Sequence, residues 1–293
     1  MFKRALICTD FEDGLQRLVH FVPSLAASGL EQITFFHNVS LLADREIPRV
    51  DTEQIEAARE QLSAAQQSVP DGVVVEIEVQ SGKAADNIIK VAKSSGADIL
   101  FLGMPTRSIL NEKLFGSTTL GIAKQVDLPL MILRPQLIAT YREQELALRT
   151  QHLFQYFLLP YDGSESAKQL IQQVKERAAA IADCELEQCL LCWVIDDSSR
   201  RELQVPDPVG HAEAELESVR DELESVGLKV SLEVRQGNPL EEILKSAEVN
   251  DITAIAVRSG SSSFIARLSV PSFTSALLRS SWHPIVRFPS EHS

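Results

Sequence analysis

The stretch Gln80-Ser-Gly-Lys-Ala-Ala-Asp-Asn-Ile-Ile-Lys-Val-Ala92 decides the fold, because it returns later in the chain as Gln236-Gly-Asn-Pro-Leu-Glu-Glu-Ile-Leu-Lys-Ser-Ala247. With Gly82 laid on Gly237, an offset of 155 residues, Ala85, Ile88, Ile89 and Ala92 fall on Leu240, Ile243, Leu244 and Ala247. Both sets are spaced i, i+3, i+4, i+7, which is one apolar stripe of an amphipathic helix. The same register carries Leu128-Pro129-Leu130-Met131 onto His283-Pro284-Ile285-Val286, and near the start Asp10 meets Asp162 at an offset of 152. The chain is therefore a duplication of a domain-sized unit.

Each copy alternates strand and helix signals. In the first, apolar runs at Ala5–Thr9, Ile33–Val39, Val73–Val79 and Ile99–Gly103 are separated by helix-length segments; in the second the corresponding runs are Phe157–Tyr161, Leu190–Ile195, Lys229–Val234 and Ile252–Val257, and a fifth short run closes each copy. Strands joined by helix-length crossovers form parallel sheets covered on both faces. The expected class is α/β: two tandem, doubly wound, Rossmann-like domains, each a five-stranded, mostly parallel sheet. The expected division is residues 1–135, a linker 136–154 with enough apolar residues to pack as a helix, and 155–293.

Composition narrows the function. The 293 residues carry a formal net charge of −13, so there is no broad basic footprint for nucleic acid or an anionic membrane. The N-terminal apolar run meets Asp10 at once, too short for a signal-peptide core, and no apolar stretch approaches the roughly 18 residues of a membrane span. A cytoplasmic setting is expected. Cys8, Cys189 and Cys192 lie in apolar runs and read as buried free thiols; Cys189-x-x-Cys192 has no second pair to complete a zinc site and does not open a helix as redox pairs do. His211, among Glu213, Glu215 and Glu217, has no second histidine at ligand spacing, so no metal site is expected.

In an open parallel sheet, ligands bind beyond the carboxyl ends of the strands where the winding reverses. In the first copy those ends are Cys8-Thr9-Asp10, His37-Asn38 and Leu102-Gly103; the chain then runs through Thr106, Arg107 and Lys113 to Gly116-Ser117-Thr118. Glycines let backbone amides approach an oxyanion, and Ser117 with Thr118 opens a helix whose free amides favour negative charge. In the second copy Arg258 stands at the place of Gly103, Ser261 at that of Thr106 and Pro271 at that of Gly116, with Ser272 keeping the match to Ser117. Proline removes a donor and a guanidinium projects where bare backbone would meet phosphate, so this loop reads as degenerate, with Arg258 offering charge to some other anion.

These residues resemble the universal stress protein family, whose ATP-binding members carry Gly-x2-Gly-x9-Gly-Ser/Thr between the fourth strand and fourth helix. The resemblance covers nearly the whole chain. The first copy matches as Gly103-x2-Thr106-x9-Gly116-Ser117, with Thr106 in the second glycine's place. It implies ATP or a related adenine nucleotide, with or without Mg, bound in the first copy: Asp10 beside Thr9 on the ribose, Cys8, Asn38 and Leu102 bordering the adenine, and Gly103, Thr106, Gly116, Ser117 and Thr118 at the phosphates. It also implies an intramolecular pseudo-dimer through the fifth strands, with a homodimer as a further assembly, and a regulatory stress-response role whose ligand changes association with an unidentified protein partner. No catalytic residue is expected beyond weak ATP hydrolysis at most, since no catalytic triad, Walker loop or kinase signature is present. The alternative is an interaction scaffold of the same fold that binds no nucleotide.

Overall fold

The computed structural model describes residues 1–42, 49–103, 122, 125–134, 138–139, 141–182, 184–196, 206–258 and 273–290. By its contacts the chain divides into Phe2–Gln151 and His152–Ser293, the latter taking Met1 with it. The helix Glu143–Gln151, in the segment read as a linker, falls with the first unit.

In the first unit the strands are β1 (Arg4–Thr9), β2 (Gln32–Val39), β3 (Val74–Ser81), β4 (Ile99–Gly103) and β5 (Leu130–Leu133), in spatial order β3-β2-β1-β4-β5. The described pairings among these five strands are parallel. The second unit repeats the plan with β6 (Tyr156–Pro160), β7 (Gln188–Ile195), β8 (Lys229–Gln236), β9 (Ala254–Arg258) and β10 (Ile285–Phe288), ordered β8-β7-β6-β9-β10 and again parallel. Winding reverses between β1 and β4 in one unit and between β6 and β9 in the other, which makes those two strand-end edges the natural ligand crevices.

Burial follows the residue pattern. Central strands are apolar throughout because helices cover both faces; β1 is buried from Ala5 to Thr9, and β7 from Cys189 to Ile195. The outer strand β3 alternates instead, with Glu76 and Glu78 exposed and Ile77 half-buried between them. Helix Ala84–Ser94 buries Ile88, Val91 and Ala92, while helix Pro239–Val249 buries Ile243, Ser246 and Ala247 at the matching positions. Each helix follows a glycine at φ of 126° (Gly82) or 134° (Gly237), a backbone region that side chains with a Cβ rarely enter. The duplication thus extends from sequence to backbone angle and burial.

Cys189 and Cys192 are buried side chains of β7, and desolvation pushes both thiols up, Cys192 to about 12 with a further push from Glu233. Such thiols stay protonated at neutral pH and serve as packing groups.

Candidate functional site

At the first copy's edge the register sets Cys8 of β1 beside Leu102 of β4, which brings Thr9 level with Gly103. Cys8, Thr9, Asp10, Leu102 and Gly103 therefore share one edge. Asn38 ends β2 but is committed locally: its Nδ2 donates to the Gly82 carbonyl (3.0 Å) and its Oδ1 accepts from Asn87 Nδ2 (2.8 Å), tying the strand end to the turn before helix Ala84–Ser94. Thr106, Gly116, Ser117 and Thr118, together with Arg107 and Lys113, lie outside the described residues.

The chain leaving β1 folds back over its own strand end. Asp10 Oδ1 accepts the backbone N–H groups of Glu12 and Asp13, both at 2.8 Å, and Phe11 sits at φ 65° with its N–H donating to Thr9 Oγ1. Its ring lies 4.2 Å from that of His37, whose Nδ1 is 2.8 Å from the Thr9 carbonyl. His37 is thus a strand-end imidazole; burial lowers its pKa, with the Thr9 hydrogen bond and Asp10 acting in the opposite sense. The loop delivers Asp13, 7% exposed, against Gly103: a Cβ on that glycine would stand 2.5 Å from Asp13 Cβ and 2.7 Å from its Oδ2. Thr9 Oγ1 (2.8 Å) and the Leu15 N–H (3.0 Å) donate to Asp13 Oδ1. Burial, then the charge of Asp10, still raises this carboxyl to about 6. Burial, then Asp13, pushes the Cys8 thiol well up.

The second copy departs from its partner at the same place. After β6 the chain passes only Tyr161-Asp162-Gly163-Ser164 before entering helix Glu165–Ala179. Asp162 Oδ1 accepts the Ser164 N–H (3.0 Å), and Ser164 Oγ caps the helix by accepting from the Ala167 N–H (3.2 Å). Beyond this turn a cavity of about 750 Å³ opens over the ends of β6, β7 and β9. Its lining includes Tyr161, Asp162, Ser164, Trp193, His211 and Arg258. Trp193 meets Tyr161 edge-on at 5.7 Å and His211 at 6.0 Å. Arg258, 9% exposed, ends β9 and donates through Nε to the Pro289 carbonyl (3.2 Å). Burial first, then Glu215, Glu222 and Asp162, pushes the Tyr161 hydroxyl up to about 12.

The sequence reading places the ligand in the first copy; among the described residues a cavity of about 750 Å³ opens in the second. The residues that reading passed over are Asp13, Phe11 and Trp193; the Asp13-Gly14 pair just beyond a strand-end Thr-Asp was the available signal for a second turn there. Among the described residues no group of three or more His, Cys, Asp or Glu side chains is placed to hold a metal ion, and no helix is long and apolar enough to cross a membrane.

The model of the universal stress protein family matches residues 1–134 and 154–289, and the chain belongs to that family. Among solved structures it is similar to a universal stress protein from Archaeoglobus fulgidus, at 19% identity over 97% of this chain and 98% of that one, with a TM-score of 0.67. A protein of unknown function from Pseudomonas aeruginosa shares the fold at 10% identity, covering 98% of this chain and 92% of its own, with a TM-score of 0.58. A universal stress protein solved in complex with cAMP aligns at 16% identity with 46% of this chain and 97% of its own, TM-score 0.37. No curated protein matches.

Proposed function

We propose that this chain is a non-catalytic, ligand-responsive regulator that holds an adenine nucleotide or closely related planar heterocycle in its second copy, the ligand altering association with a protein partner. The observation that carries this reading is the 750 Å³ cavity, which lies in the size range of small-molecule sites and sits at the winding reversal of its sheet. Trp193 and Tyr161 form an aromatic wall, Asp162 at the strand end suits hydroxyl donors, and Lys168 and Arg258 supply the positive charge a phosphate needs. No described cluster of side chains is suited to Mg, so the ion would come with the phosphates. Among the described lining residues the Cys192 thiol is held protonated, which favours a binding role.

A second reading, ATP in the first copy, is favoured by the shared edge of Thr9, Asp10, Leu102 and Gly103. Titration calorimetry with ATP, ADP, AMP and adenosine separates the two. Ser166→Phe, which fills the cavity without touching the helix cap, is expected to abolish the heat, and Asp10→Ala to leave it intact. The opposite pattern assigns the ligand to the first copy, and silence with all four compounds leaves the scaffold reading.

A further inference from the structure

The loop Asp10–Gly14 folds back onto Gly103 at the end of β4. Phe11 adopts a left-handed backbone that a residue with a side chain enters only when its surroundings hold it there. Here the hold is explicit: its N–H is bonded to Thr9 Oγ1, its carbonyl accepts from Gln16 Nε2 (3.0 Å), and its ring lies against His37. Asp10 fixes the next two amides. Together these contacts place a carboxyl group, Asp13, on the face of Gly103 that a Cβ would otherwise fill. Glycine at 103 is thereby accounted for by the chain's own packing, whatever ligand approaches it.

We propose that Asp13 is the specificity-determining residue of the first copy: its carboxyl lies on Gly103 as a built-in occupant and keeps the anionic group of a nucleotide away from that glycine until the loop Asp10–Gly14 is displaced. A buried negative charge repels an incoming phosphate far more strongly than an exposed one, because little water screens it. The duplication supplies the internal comparison. Where β1 is followed by the Asp13 loop a carboxyl lies on the strand-end glycine, and where β6 runs straight into a capped helix a cavity opens over the strand ends. This inference concerns the first copy alone and stands or falls separately from ligand binding in the second.

Hydrogen–deuterium exchange of the full chain with and without excess ATP tests it, reading peptides that cover β1 and β4 for this inference and peptides that cover β6 and β7 for the second-copy reading. Circular dichroism melts establish that Asp13→Ala and Asp13→Asn are folded. In the unsubstituted protein ATP is expected to leave the β1 and β4 peptides unchanged, whereas in both variants the same excess of ATP protects them. Equal protection of those peptides in the unsubstituted protein, or no protection in either variant, overturns the proposal.

Discussion

Trp193 lies against Gly163: a Cβ on the glycine would stand 3.2 Å from the far edge of the indole ring. The contact sets one wall of the second copy's cavity, and it works because Gly163 also turns the chain at φ 69°. Gly163→Ala therefore meets both a left-handed backbone and the ring. The backbone effect alone costs about 1–2 kcal/mol, and a thermal melt is expected to drop by roughly 2–8 °C, with the tryptophan emission of the folded state shifted as the ring moves.

Asp13 gives the first copy a pH signature. Its folded pKa, about 6, is above the 3.8 of a free aspartate, so the folded state holds this proton more tightly than the unfolded one. Below pH 3.8 both states are protonated and there is no penalty; stability falls as pH rises from about 4 to 6, and the penalty is complete above that. Two units correspond to on the order of 3 kcal/mol. Urea unfolding between pH 4.5 and 8 should show Asp13→Asn flatter than the parent across this window and more stable at pH 7.5. An unchanged difference between the two across the whole range contradicts it.

The pair Asp13 and Gly103 should also couple. Gly103→Ala places a methyl group inside the Asp13 side chain and is expected to destabilise by about 1–3 kcal/mol, as overpacking does. In an Asp13→Gly background, which also removes the Cβ atom 2.5 Å from the new methyl group, most of that cost should vanish. Additive losses in the double-mutant cycle would mean the contact is not tight.

Much of the fold was legible because its signals are local. The stripe Ala85, Ile88, Ile89, Ala92 and its copy Leu240, Ile243, Leu244, Ala247 obey a helical period that needs no tertiary knowledge, and the structure buries Ile88 with Ala92 and Ile243 with Ala247. Strand ends that would face a ligand were legible too, since the order of strands fixes the reversal. The site's state was not. Whether Gly103 faces solvent depends on Asp13, ninety residues earlier, and whether the second edge is open depends on where the Trp193 ring settles and on how soon Ser164 starts a helix. Those are long-range packing outcomes with no periodic trace. In sequence Arg258 reads as an obstruction to bare-backbone phosphate contact that still offers charge to another anion, and in the structure it is a charged group of the cavity wall that donates to the Pro289 carbonyl.

Matched positions of the duplication should carry matched energies. Ile88→Ala and Ile243→Ala each remove a buried aliphatic side chain from the same helix stripe, and each is expected to cost about 2–5 kcal/mol. Denaturant unfolding of the two variants that differ by much more than this spread would show that the copies pack unequally at their third helix-forming segment.

Ligand binding in the second copy's cavity is tested most directly by the emission of Trp193. The chain has two tryptophans, and Trp282, 59% exposed, can be removed by Trp282→Phe so that Trp193 alone reports. Titrating that variant with ATP, ADP, AMP and adenosine is expected to give a saturable change in Trp193 emission for at least one of them, with one site per chain, and Ser166→Phe is expected to abolish it. Binding heat from any of these ligands with Trp193 emission unchanged, or a saturable change that survives Ser166→Phe, would contradict the claim.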